Sequence, residues 1–110
     1  MILGGVHQVG PADAAEILER GGVLLDVREA HELQAARVPG ALWIPMSALE
    51  ARWEEVPGDL PVVVMCHSGG RSHAAARFLG DQGIADASNL AGGIVAWYRA
   101  GLPVDQGEGT

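Results

Sequence analysis

The chain has 110 residues, a length typical of one domain, and 48% of them are hydrophobic, which is enough to form a small core. Its formal net charge is −7 and its seven basic residues, all arginine, are scattered, so neither a nucleic-acid-binding surface nor lysine Schiff-base chemistry is expected. Because the chain has no apolar run of about 18 residues, no signal-peptide pattern and only one cysteine, we expect a cytoplasmic protein with no membrane contact and no internal disulfide.

The predicted elements alternate between helix and strand along the chain. Helices are predicted within residues 10–22, 29–36, 46–56, 73–82 and 93–104, and short strands within residues 23–27, 38–45, 62–65 and 87–90. In the helix at 46–56, Ser47 followed by Glu50 has the spacing of a capping box. The strands are apolar and continuous rather than alternating, a pattern typical of a mainly parallel sheet with helices on both faces. We therefore expect an α/β fold in which one domain spans residues 1–110, with a frayed tail from about residue 105.

The only cysteine lies in the segment CHSGGRS (66–72), directly after the most strand-like run of the chain. A lone cysteine is more often a small buried hydrophobic residue than a nucleophile, but this one lies beyond the carboxyl end of a strand, where ligands bind in such folds. Gly69 and Gly70 permit backbone conformations that turn successive N–H groups inward, and a helix starting near Ser72 adds its own unpaired N–H groups. We therefore expect the pKa of Cys66 to lie below that of a free thiol.

Two reactions fit such a loop, namely phosphoryl transfer through a cysteinyl phosphate and sulfur transfer through a cysteine persulfide. The loop resembles the active-site loop of the rhodanese superfamily, which comprises sulfurtransferases of α/β fold. Three further segments are similar to motifs of that family, in the family's order: LLDVREAHEL (24–33), ARVPGALWIP (36–45) and LAGGIVAWYRAGLPV (90–104). Ala36 and Arg37 stand where the family usually has glycine and histidine, so no role for that histidine is carried over.

The resemblance implies a rhodanese-like fold, with a mainly parallel sheet of about five short strands, and a catalytic Cys66 that carries sulfur as a persulfide. Sulfur is then taken from thiosulfate or a similar donor and passed to cyanide or a thiol. The backbone N–H groups of the loop are implied to bind this sulfur: His67, Ser68, Gly69, Gly70, Arg71 and Ser72. Arg71 follows Cys66 by five positions, as in the family's sulfurtransferases, whereas the related phosphatases have a loop longer by one residue.

The side chains of the loop have alternative roles. Arg71 either binds the sulfonate group of the donor or pairs with a carboxylate and braces the loop, and the sequence favours neither. The side chain of His67 is expected to be exposed, and the alternatives are that it shifts the pKa of Cys66 or contacts the acceptor. The hydroxyls of Ser68 and Ser72 are candidates for hydrogen bonds to sulfur, although Ser72 is expected to cap the following helix instead.

Asp26 and Arg28 resemble an Asp–Arg pair of the family and end a predicted strand, on the same side of the sheet as Cys66. We expect them to form an ion pair that holds two loops together rather than to take part in the chemistry. Glu32 is the expected partner of Arg28.

Sulfur transfer is the leading hypothesis, and no cofactor is implied because the cysteine is itself the carrier. The alternative is a persulfide sulfur-carrier module that serves a specific protein partner. A small phosphatase or arsenate reductase is disfavoured by the short loop, and a metal enzyme by the lack of ligand spacing among the four histidines. The expected partners are a small-molecule sulfur donor and a thiol, cyanide or protein acceptor, and the chain is expected to be a monomer or a homodimer.

Overall fold

The computed structural model describes residues 1–106, which form a six-stranded sheet, a two-stranded sheet and the helices around them. The strands are β1 (Ile2–Leu3), β2 (Val6–Val9), β3 (Val23–Asp26), β4 (Ala36–Arg37), β5 (Leu42–Trp43), β6 (Val62–Met65), β7 (Ala87–Leu90) and β8 (Asp105–Gln106). The helices are α1 (Pro11–Glu19), α2 (Ala30–Ala35), α3 (Met46–Arg52), α4 (Gly70–Asp81) and α5 (Gly93–Arg99), and a 3-10 helix covers Trp53–Glu55. Across the described residues, no helix is long and apolar enough to cross a membrane.

The large sheet has the strand order β1-β2-β7-β6-β3-β5. From β2 to β5 all neighbours run parallel, whereas β1 pairs antiparallel with β2. Strand β6 is central, since Val64 pairs with Leu25 of β3 on one side and with Asn89 of β7 on the other. The prediction of a mainly parallel α/β sheet is confirmed, and β1 and β2, for which the sequence analysis predicted no element, complete it.

The core lies on both faces of the sheet because successive side chains of a strand point to opposite faces. In β6, Val62 and Val64 pack with residues of α3 and α4, while Val63 and Met65 pack with residues of α1 and α5. All four side chains are buried, and burial of each stabilises the fold by about 1.5–3 kcal/mol. This two-sided burial explains why the strand is apolar throughout.

The start of α3 differs from the prediction. Pro45, with a φ of −64°, is the N-cap residue, so the helix begins one residue before Ser47. Ser47 thus lies in the first turn, and its hydroxyl donates to a carboxylate oxygen of Glu29 at 2.8 Å. The predicted capping box of Ser47 and Glu50 is therefore wrong. A capping box forms instead at the start of α2, between Glu29 and Glu32.

The last described residues are paired rather than frayed. Strand β8 pairs antiparallel with β4, which joins residues 105 and 106 to the segment after α2. The indole N–H of Trp97 donates to the carbonyl oxygen of Pro103 at 2.8 Å and ties down the segment that leads into β8. The rest of the predicted frayed tail, residues 107–110, lies outside the described residues.

Candidate active site

Cys66 lies at the carboxyl end of β6, in the centre of the sheet, and is only 1% exposed. The neighbouring strands β3 and β7 run parallel to β6, so their carboxyl ends reach the same edge. Asp26 ends β3 there, and Asn89 lies one residue before the end of β7. The parallel topology thus brings residues that are far apart in sequence to the edge of the sheet where Cys66 lies.

The loop after Cys66 turns through a residue whose backbone conformation favours glycine. Gly69 has a φ of +109° and precedes the first residue of α4, and its N–H donates to Cys66 Sγ at 3.1 Å. A side chain at this position would be strained by the positive φ, and its Cβ would lie 3.3 Å from the backbone nitrogen of Gly92. The predicted inward turn of the loop is therefore present at Gly69.

The outer side of the loop is held by the start of α5. The N–H of Ile94 donates to the carbonyl oxygen of Cys66 at 2.9 Å, and the N–H of Val95 donates to that of His67 at 3.3 Å. Gly93, with a φ of +59°, packs so closely that an added Cβ would overlap both carbonyl groups. Because these carbonyls point towards α5, the N–H groups of the loop remain available on the side of the sulfur. This role was not predicted from the sequence, although two adjacent glycines one residue after a predicted strand were a visible signal.

The environment of Cys66 favours its thiolate. Burial alone would raise the pKa of the thiol, but hydrogen bonds from the Ser72 hydroxyl and from the N–H groups of Ser72, Gly69 and Ser68 outweigh this effect and lower it. The predicted direction of the pKa change is thus the one found. The lower pKa arises from neutral hydrogen-bond donors that the fold holds in fixed orientations.

Ser72 is not a helix cap. Helix α4 begins at Gly70, so Ser72 lies inside the first turn, where its buried Oγ is 3.2 Å from Cys66 Sγ and 2.6 Å from Asn89 Oδ1. The expectation that Ser72 caps the helix is therefore wrong, and its alternative role near the sulfur fits the geometry. Asn89 was not identified from the sequence. A polar residue in an otherwise buried strand next to β6 could have indicated it.

Arg71 points to a carboxylate. Its two terminal nitrogens lie 2.6 and 2.8 Å from the two carboxylate oxygens of Glu32, which joins α4 to α2. The hydrogen bond from Arg71 lowers the pKa of Glu32 to about 2, partly opposed by burial and assisted by the N–H of Glu29. Of the two roles considered for Arg71, this geometry corresponds to the one that braces the loop.

Asp26 and Arg28 form the expected ion pair. Arg28 Nη2 lies 2.8 Å from Asp26 Oδ2, and both side chains are almost fully buried. The same nitrogen donates to the carbonyl oxygen of Ala36 at 2.9 Å, so the pair ties the end of β3 to β4. Glu32 was expected to pair with Arg28, but only its backbone carbonyl accepts from Arg28, at 3.4 Å, because its carboxylate is engaged by Arg71.

The remaining loop residues, His67, Ser68 and Gly70, are exposed. His67 lines a depression of about 590 Å³ whose other walls come mainly from α5 and α2. Ile94, Val95 and the exposed ring of Tyr98 make one wall apolar. The loop therefore adjoins an open surface on the side of α5.

Known proteins resemble the chain in sequence and in fold. The rhodanese-like domain family matches residues 10–100. A sulfurtransferase of Allochromatium vinosum is 41% identical over 98 residues, which cover 89% of this chain and 87% of that protein. A thiosulfate sulfurtransferase GlpE of Actinobacillus succinogenes is 32% identical over 104 residues, which cover 94% of each. The crystal structure of a rhodanese-related protein from Thermoplasma volcanium has a TM-score of 0.83 at 33% identity, over 90% of this chain and 97% of that one.

Proposed function

The chain belongs to the rhodanese-like domain family and is a sulfurtransferase, and we propose that it moves sulfur from thiosulfate or a similar donor to cyanide or a thiol through a persulfide on Cys66. One observation carries this proposal. The buried Cys66 sulfur accepts hydrogen bonds from the loop that follows it, and these lower the pKa of its thiol. A thiolate is the form of cysteine that attacks sulfur.

In the first half-reaction, the Cys66 thiolate attacks the outer sulfur of thiosulfate. A new S–S bond forms on Cys66 as the S–S bond of thiosulfate breaks, and sulfite leaves with the electron pair of that bond. The negative charge of the persulfide is then carried by its outer sulfur. Backbone N–H groups of the loop are already turned inward and stabilise this charge without rearranging.

In the second half-reaction, an acceptor attacks the outer sulfur and Cys66 leaves as a thiolate. Cyanide becomes thiocyanate, and a thiolate becomes a persulfide. Each half-reaction returns the loop to a state with one negative charge, so the same N–H groups serve both. Covalent storage on Cys66 divides the transfer into two easier steps.

The engagement of Arg71 supports sulfur over phosphorus. A cysteinyl phosphate brings three oxygens into the loop and is best held by a guanidinium group that binds two of them. Both terminal nitrogens of Arg71 are instead paired with the carboxylate of Glu32. The backbone N–H groups that remain suit a single sulfur atom better than a phosphate.

A second candidate function is that of a sulfur carrier for a protein acceptor. The depression beside His67, with the ring of Tyr98 61% exposed, offers an apolar surface next to the loop that a small anion does not need. In that case the acceptor thiol belongs to a protein that covers this surface.

The test of the persulfide is the intact mass of the reduced protein after incubation with thiosulfate and again after cyanide. We expect a gain of one sulfur atom, its removal by cyanide with release of thiocyanate, and no gain in Cys66→Ser. The absence of a gain from thiosulfate, mercaptopyruvate and a persulfide donor protein would overturn the proposal, and hydrolysis of an aryl phosphate by Cys66 would favour the phosphatase reading.

The two candidate acceptors are separated by Tyr98→Ser, which removes the exposed ring. Transfer of sulfur to cyanide is expected to be unchanged. For the carrier function, transfer to a protein thiol falls in this variant while transfer to dithiothreitol does not. If Tyr98→Ser transfers sulfur to the protein thiol as fast as the wild type does, only the small-molecule function remains supported.

A further inference from the structure

The hydroxyl of Ser72 lies between two acceptors. Its Oγ is 3.2 Å from Cys66 Sγ and 2.6 Å from Asn89 Oδ1, and Ser72 and Asn89 are 0% and 3% exposed. A serine hydroxyl has one hydrogen and donates one hydrogen bond at a time. When Cys66 is a thiolate, which can only accept, its sulfur and the Asn89 oxygen require the same proton.

The orientation of the Asn89 amide is determined by its neighbours. Its Nδ2 donates to the carbonyl oxygen of Gly69 at 3.1 Å and to Gln8 Oε1 at 2.8 Å. Gln8 is itself oriented, because its Nε2 donates to the carbonyl oxygen of Val6 at 3.2 Å. A flipped Asn89 would place its oxygen against two other oxygens. Its Oδ1 therefore faces Ser72 and can only accept.

The two protonation states of Cys66 differ in how well this network is satisfied. In the thiol form, Cys66 S–H donates to Ser72 and the Ser72 hydroxyl donates to Asn89, so each group has a partner. In the thiolate form, the hydroxyl either turns to the sulfur and leaves the buried Asn89 oxygen unpaired, or stays with Asn89 and withholds its proton from the sulfur. Either choice makes the thiolate less stable than it would be without the Asn89 oxygen, since a buried unpaired acceptor is unfavourable and the sulfur gains from every donor.

We propose that Asn89 is a positioning residue that competes with the Cys66 thiolate for the single hydroxyl proton of Ser72, and thereby leaves the empty thiolate less stabilised than the loop alone would make it. The functional consequence rests on the proposed role of Cys66 as the sulfur carrier. A less stabilised thiolate is the stronger nucleophile towards the donor sulfur. In the persulfide the charge moves to the outer sulfur, so Sγ no longer competes for the proton and Asn89 keeps it. The competition thus favours the loaded state over the empty thiolate.

The test is the titration of Cys66, followed by the pH dependence of its alkylation by iodoacetamide, in the wild type and in Asn89→Leu. Leucine has a similar size and no acceptor, so the Ser72 hydroxyl becomes free to donate to the sulfur. We expect the pKa of Cys66 to fall and the thiolate fraction below the titration midpoint to rise roughly five- to tenfold. A merely structural role predicts the opposite sign, because loss of the Asn89 hydrogen bond to Gly69 loosens the loop. An unchanged or raised pKa overturns the inference.

Two control variants isolate the proton. In a Ser72→Ala background there is no hydroxyl to compete for, so Asn89→Leu is expected to produce no fall in the pKa of Cys66, and a fall of the same size there overturns the inference. Gln8→Met removes one acceptor from Asn89 Nδ2 and leaves Oδ1 in place. Gln8→Met is expected to leave the pKa of Cys66 as in the wild type. A fall in this pKa as large as that in Asn89→Leu also overturns the inference. If Asn89→Leu does not fold, Asn89→Ala replaces it with the same expected direction.

The titration needs no sulfur, so this inference and the proposed function can fail separately. If the wild type takes up sulfur and the pKa of Cys66 does not fall in Asn89→Leu, only the proton competition is wrong. If the pKa falls as expected but the wild type takes up no sulfur from any donor, the competition stands and the proposed function is wrong. With both correct, the rate of loading per thiolate falls about threefold in Asn89→Leu, since nucleophilicity falls with pKa.

Discussion

The residues around Cys66 form two regions of different chemistry. The neutral region donates to the sulfur or orients the loop without full charges and comprises Gly69, Ser72, Asn89 and Gly93. The charged region consists of two ion pairs and comprises Asp26, Arg28, Glu32 and Arg71. In the charged region, both guanidinium groups are paired with carboxylates, so these charges fix the positions of chain segments. The charge on the sulfur is stabilised mainly by oriented neutral donors, with a smaller Coulombic contribution from Arg71.

This division predicts separable effects of substitution. Changes in the charged region are expected to lower the free energy of unfolding more than they alter the thiol. Changes in the neutral region are expected to alter the reactivity of the Cys66 thiol more strongly than their effect on the free energy of unfolding alone would suggest. Three variants test this contrast. A change in the charged region that altered the thiol more than the stability, or a change in the neutral region that left the thiol unaltered, would remove the distinction between the two regions.

The largest effect on stability is expected from Arg28→Met. The variant leaves the buried carboxylate of Asp26 without its partner, and the free energy of unfolding is expected to fall by about 3–5 kcal/mol. Urea denaturation at neutral pH measures it. The control is the double variant Asp26→Leu/Arg28→Met, which removes both charges and is expected to recover much of the loss. A double variant no more stable than the single one would show that the pair does not act as a unit.

A smaller loss of stability, with a large effect on the thiol, is expected from Gly93→Ala. The new Cβ would overlap the carbonyls of Cys66 and His67, and the positive φ adds strain; each effect costs at least about 1 kcal/mol, so the loss is expected to be at least about 2 kcal/mol. The displaced carbonyls turn the loop N–H groups away from the sulfur, so alkylation of Cys66 near neutral pH is expected to slow.

The matched control for Gly93→Ala is Gly80→Ala, in α4, where an added Cβ meets open space. This control is expected to keep wild-type thiol reactivity and to gain up to about 1 kcal/mol of stability. Wild-type alkylation in Gly93→Ala would contradict the role given to the contact between α5 and the loop.

The smallest effect is expected from Glu32→Gln, and it depends on pH. The pKa of Glu32 is lowered from 4.5 to about 2 in the folded chain, so its ion pair stabilises the fold above pH 4.5 and this contribution is lost as the pH falls towards 2. Because Arg71 is 39% exposed and water screens the pair, we expect a loss of only about 1 kcal/mol at neutral pH.

The difference between Glu32→Gln and the wild type is measured by denaturation across this pH range. It should shrink on acidification, while alkylation of Cys66 changes little. A difference that persists unchanged at the acid end would mean that the carboxylate charge is not its source.

Several features could be predicted from the sequence because their causes are local. The apolar runs at 23–27 and 62–65 indicated buried parallel strands, since a strand covered on both faces has no polar alternation. The position of Cys66 after the central run placed it at the ligand-binding edge of the sheet. The inward turn followed from the presence of Gly69, because few other residues adopt its backbone conformation.

Other features depended on where α4 begins. The helix starts at Gly70 rather than near Ser72. Because successive side chains of a helix point about 100° apart around its axis, the position of a residue within the helix decides what its side chain faces. This shift turns Ser72 from a helix cap into a buried neighbour of the sulfur. Local spacing could not reveal it, because the loop has no capping side chain and the helix begins with a glycine.

The sequence alone thus determined the family and the α/β sheet and indicated Cys66 as the proposed nucleophile, because each follows from patterns within short segments of the chain. The tertiary structure decided which residues contact the loop that contains Cys66. Glu32 pairs with Arg71 across 39 positions of the sequence, Asn89 accepts from Ser72 across 17 positions, and Gly93 packs against the carbonyl of Cys66. These contacts join separate helices and strands, so they depend on how the elements are rotated and packed in the sheet. That packing is a property of the whole core and cannot be read from the spacing of residues within one element.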